Sequence, residues 1–148
     1  MKDFFASIYE TLFGIYNSSY QLIFDTLYDN NVYFWFVIIS LVIPLIACVI
    51  FYYSYKNPYA TLFNWALFMG SSIVIALMIT SALASYEIYA SSASLIKELN
   101  NPSSTYQNYA SLLPLKYALV NFLLAAFSCI IFSLIFKQRS KVQTHLPI

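Results

Sequence analysis

The chain has 148 residues, 61% of them hydrophobic and only 9% charged, with a formal net charge of +1. A soluble domain uses about 25% charged residues, and a soluble surface this apolar would carry large exposed patches. The composition therefore points to an integral membrane protein of one small domain, and it excludes the broad basic field that nucleic acid requires.

Residues 3–29 come first and show one apolar helical face. Phe4, Phe5, Ile8, Tyr9, Leu12, Phe13, Ile15, Tyr16, Tyr20, Ile23, Phe24, Leu27 and Tyr28 recur at helical spacing, with polar residues between them. This predicts an amphipathic N-terminal helix over 1–30, lying at the outer interface or packed on the bundle. Its polar face is uncharged or acidic, unlike a helix that docks on anionic headgroups. Asp3 and Glu10 interrupt the start, so no cleavable signal peptide is expected. Asn17-Ser18-Ser19 matches a glycosylation sequon.

Three spans follow, at 33–53, 62–84 and 118–136. Each matches the ~20 residues that cross ~30 Å of hydrocarbon, and none contains Asp, Glu, Lys, Arg or His. Pro44 lies inside the first span, where a kink is tolerated. Tyr28, Tyr33, Tyr86, Tyr89 and Tyr117 mark one set of span ends, and Tyr52, Tyr53, Tyr55 and Tyr59 the other, as interfacial belts do. Lys56 sits in the first connection, and Lys137, Arg139 and Lys141 follow the last span. Asp25 and Asp29 precede the first span. The positive-inside rule then puts the N-terminus outside and the basic tail 137–148 inside.

Between the second and third spans the helical pattern runs on to Leu99 and stops at Asn100-Asn101-Pro102. Ser104 and Gln107 have capping-box spacing for a new helix, with Pro114 as a kink site. The expectation is a long helical hairpin, 85–117, projecting outside the membrane. The expected fold is thus an all-α integral membrane protein, with a three-span bundle over 31–136.

Small or weakly polar residues recur along the later spans. One ladder is Ser72, Ala76, Thr80 and Ala84, preceded by Ala66 and Gly70. The other is Asn121, Ala125, Cys129 and Ser133. Such ladders let backbones approach and allow hydrogen bonds between helices. They fit packing within the hairpin or a seam between copies. Asn64 and Asn121 read as packing groups, and Cys48 and Cys129 as small hydrophobes.

Chemistry-bearing patterns are sparse. The one histidine, His145, is near the C-terminus, and two glycines, Gly14 and Gly70, do not make a phosphate loop. No catalytic residue, metal site, cofactor or small-molecule substrate is expected. The expected partners are the bilayer, further copies and other membrane proteins. The expected location is the bacterial inner membrane, and the expected role is a subunit that anchors or scaffolds an oligomeric secretion, defence or envelope complex. Three spans, an outside N-terminus and a basic inner tail also resemble the topology of three-span phage holins. That resemblance implies a pore-forming or membrane-disrupting alternative, and an immunity protein against a membrane toxin is a third reading.

Overall fold

The computed structural model describes residues 2–54, 61–101 and 104–139. Lys56 with Tyr55 and Tyr59, Pro102, and Lys141 and His145 of the tail lie outside the described residues. Every regular element among the described residues is a helix. Three of them, α3 (Val32–Ser54), α4 (Leu62–Ala90) and α6 (Tyr106–Arg139), pack side by side, and each is long and apolar enough to span a membrane. α3 runs through Pro44 and α6 through Pro114.

The second and third helices extend the predicted spans toward the same end of the bundle. α4 does not continue to Leu99, however. It ends at Ala90, and Ser92 is extended at φ −123° and ψ 121° before a separate helix, α5 (Ala93–Leu99). The Ser91 hydroxyl bonds back to the Glu87 carbonyl, and those of Ser92 and Ser94 bond to each other. Serine hydroxyls compete for backbone groups in this way, and the competition weakens a helix interior. Ser104 does not make the predicted capping box. Its hydroxyl closes the turn after α5 by donating to the carbonyls of Glu98 at 2.6 Å and Asn101 at 3.0 Å.

The N-terminal segment is not one helix. α1 (Lys2–Ser7) passes into a π-helical turn, Ile8–Leu12, and a short 3-10 turn, Ser18–Tyr20, precedes α2 (Gln21–Asp29). The break between them falls at Gly14, whose φ of 63° suits a residue without Cβ. Asn17 supports the restart, its side-chain oxygen accepting from the Ser19 N–H at 3.0 Å. Asn31, at φ 56°, makes the turn from α2 into α3.

This break lets the segment double back. Phe5 meets Phe34 of α3 with ring centroids 5.7 Å apart, and Tyr9 then enters between α3 and α6. After the turn at Gly14, the Ile15 carbonyl accepts from the Tyr109 hydroxyl, and Tyr20 stacks on Tyr109 at 4.1 Å. The chain descends along α3 and climbs along α6 as a wedge. Ile23, Phe24 and Leu27 of α2 join Leu95 and Leu99 of α5 in one apolar cluster over the end of the bundle.

Candidate functional site

Polar side chains inside an apolar bundle must bond to one another, because no water is there to satisfy them. Asn121 of α6, fully buried, meets this need by joining four elements. Its amide nitrogen donates to the Phe36 carbonyl of α3 at 2.8 Å and to the Thr80 hydroxyl of α4 at 2.7 Å. Its oxygen accepts from the Tyr9 hydroxyl of the wedge at 2.6 Å. The amide orientation is forced, since a carbonyl can only accept. Thr80 in turn donates to the Ala76 carbonyl at 2.8 Å.

Around this junction lies an aromatic cluster. Tyr9, Tyr33, Phe36 and Tyr117 touch in every pairwise combination, at centroid distances from 5.2 to 6.3 Å. Tyr33 and Tyr117 are therefore not belt residues as the sequence suggested. They are buried, whereas Tyr86 and Tyr89 stay exposed. The Tyr33 hydroxyl donates to Glu10 at 2.5 Å and lies 3.3 Å from that of Tyr117. Burial pushes the Tyr9 hydroxyl above its usual range, with Tyr117 adding to the shift, so it acts as a neutral donor.

Glu10 is the charge-bearing side chain of this site. It sits on the π-helical turn, an element found often at functional sites. Burial raises its carboxyl above the usual range, the Tyr33 bond opposes this, and Asp25 adds to the rise. A carboxyl raised by folding favours the protonated form in the folded state. Its contribution to stability is full below the ordinary 4.5 and is lost as pH rises through the raised value. Glu10→Gln should therefore flatten the acid side of the profile. The thermal midpoint of the wild type, measured in detergent, should fall relative to the variant between acid and neutral pH. A constant difference would count against this assignment.

A second polar layer lies further along the bundle. The Cys48 thiol is 3.6 Å from Met69 Sδ and 3.7 Å from the Ser133 hydroxyl. Trp65 Nε1 donates to Ser133 at 3.2 Å, and Ser72 lies 3.6 Å from Cys129 Sγ. Both cysteines are free and buried. Among the described residues no group of three His, Cys, Asp or Glu side chains could hold a metal ion.

The structure brings together eight of the ten predicted packing residues. Ser72, Ala76, Thr80 and Ala84 of α4 are buried, as are Asn121, Ala125, Cys129 and Ser133 of α6. Ala66 and Gly70 are exposed. Both stand near the N-terminal end of α4, before the buried ladder begins at Ser72. At 3.6 residues per turn Ala66 points the same way as Ala84 and Gly70 about 40° further round, so their exposure follows from their place at the helix end. Asn64 stands in the first turn of α4, where its N–H bonds to the capping Thr61 hydroxyl. Sequence reasoning missed Tyr9, Glu10, Tyr33 and Tyr117. The available signal was Gly14 inside a helical pattern, which marks a break.

Comparison with known family models, with curated proteins and with solved structures finds no match.

Proposed function

We propose that this chain is a small integral membrane subunit that anchors or scaffolds an oligomeric assembly through helix–helix contacts, and that it carries no reaction of its own. The observation that supports this is the division of its small residues. Eight of them close the bundle within one chain, while Ala66 and Gly70 face outward. Nothing stands within 4 Å of where a Cβ at Gly70 would be. In lipid, small residues on an outer face let a second helix approach closely, and that close packing drives association. In this reading the end capped by α2 and α5 faces outside, the C-terminal tail faces the cytoplasm, and the wedge dips into the outer leaflet with Tyr9 one turn deep.

The pore alternative would place Thr80 and Asn121 against water. In the bundle these two bond to each other, so a pore there requires the seam between α4 and α6 to open.

The test is native mass spectrometry of the protein extracted in mild detergent from its own host. Partner proteins should co-purify in fixed ratio, and the double substitution Ala66→Leu with Gly70→Leu should release them while leaving the unfolding midpoint unchanged. A homo-oligomer of fixed size with nothing else bound would overturn the scaffold reading and favour the pore.

A further inference from the structure

A groove of about 310 Å³ runs between the turn that reverses the wedge and the face of α6 beside it, lined by Phe13, Gly14, Ile15, Lys116, Leu119 and Val120. Ligand pockets begin at about 300 Å³. Open space adjoins the turn at Gly14, where no heavy atom stands within 4 Å of a Cβ position.

One charge stands at its mouth. Lys116 is exposed, its Nζ lies 5.4 Å from the Tyr109 ring, and it pairs with no carboxylate among the described residues. It precedes the uncharged apolar stretch 118–136 by two residues, which is headgroup depth for a snorkelling lysine. Leu119, which lines the groove, is 51% exposed, and Leu123, one turn further along α6, is 57% exposed.

A cation at headgroup depth above an apolar channel into hydrocarbon complements one kind of molecule. We propose that this groove holds one anionic phospholipid, its phosphate on Lys116 and one acyl chain between Phe13 and Leu119. The volume is too small for a partner helix, which is about 10–12 Å across with its side chains. It suits a single chain that enters from the surrounding bilayer. The lipid would fill the space that the reversed wedge leaves beside α6, and so couple the wedge to the composition of the leaflet.

The test is native mass spectrometry of the full chain in detergent micelles, titrated with dioleoyl phosphatidylglycerol or dioleoyl phosphatidylcholine. One phosphatidylglycerol should be retained in preference to phosphatidylcholine by about fivefold, the size of one lysine's attraction to anionic lipid. Lys116→Gln should bring the ratio near one and Lys116→Arg should keep it. Lys137→Gln, at the far end of α6, should leave it unchanged. Leu119→Trp should fill the groove and remove the adduct of either lipid, with circular dichroism confirming that each variant stays helical. Equal retention of the two lipids by the wild type would overturn the proposal. So would a preference that survives Lys116→Gln, or competition by tail-free glycerophosphate as effective as that of the lipid.

Discussion

Asn121→Ala should lower the stability of the bundle by about 2–4 kcal/mol, which is more than one interhelical hydrogen bond contributes. Interhelical bonds in membranes average about 0.6 kcal/mol each. Asn121 makes three, to the Tyr9 hydroxyl, the Phe36 carbonyl and the Thr80 hydroxyl. Removing it forfeits about 2 kcal/mol on that scale, and the Tyr9 hydroxyl is then buried with no acceptor, which adds a desolvation cost. Thr80 suffers less, because it still donates to the Ala76 carbonyl. Unfolding in mixed micelles titrated with sodium dodecyl sulfate measures the effect. Ala125→Gly, one turn along the same face, serves as a control that removes no polar group. If Asn121→Ala costs no more than that control, the amide is not the junction described above.

Tyr9→Ala should cost about 3 kcal/mol or more, toward the lower end of the range for buried aromatic residues cut back to alanine. Its ring is fully buried and touches Tyr33, Phe36 and Tyr117. Water exclusion is not the main term inside lipid, so the cost falls on lost packing and on the orphaned Asn121 oxygen. The larger consequence is local. With Tyr9 gone, the segment keeps Phe5 against Phe34 and Glu10 on the Tyr33 hydroxyl but loses its buried anchor between α3 and α6. The π-helical turn around Leu12, already 75% exposed, should loosen. A cysteine at position 12 should then react faster with a water-soluble maleimide, while one at Ala125 stays protected. Tyr9→Phe keeps the ring and should leave the wedge seated, at a cost of about 1 kcal/mol for the lost bond. Equal labelling of the Tyr9→Ala variant and the wild type would show that the wedge is held by other contacts.

The three long helices were legible because their signal is additive. Twenty apolar residues in a row have one stable environment, and the predicted spans differ from the observed helices mainly where polar residues extend a helix past the hydrocarbon. The ladders were legible as far as their period held. Ser72 to Ala84 keeps an interval of four, and those residues are buried together. Ala66 and Gly70 were added to that ladder by residue type, and they stand exposed near the start of α4, before the buried part of the ladder begins. The wedge was not legible, because a helical face and a broken segment that doubles back place the same apolar residues inside. Only Gly14 and Asn17 distinguish the two, and Asn17 was read as part of a sequon. The same ambiguity hid Tyr33 and Tyr117. A tyrosine at a span end suits the interface unless another element covers it, and the covering element here comes from far away in the sequence.

A double-mutant cycle between Tyr9→Phe and Asn121→Ala, read as unfolding free energy in mixed micelles, tests most directly whether the N-terminal segment is keyed into the bundle. Each substitution removes the 2.6 Å bond between the two side chains, so the double variant should cost less than the two single costs added together. The difference should be about 0.5 kcal/mol or more, as for residues in direct contact. Strict additivity would mean that Tyr9 and Asn121 do not meet, and the junction that unites the wedge with α3, α4 and α6 would have to be abandoned.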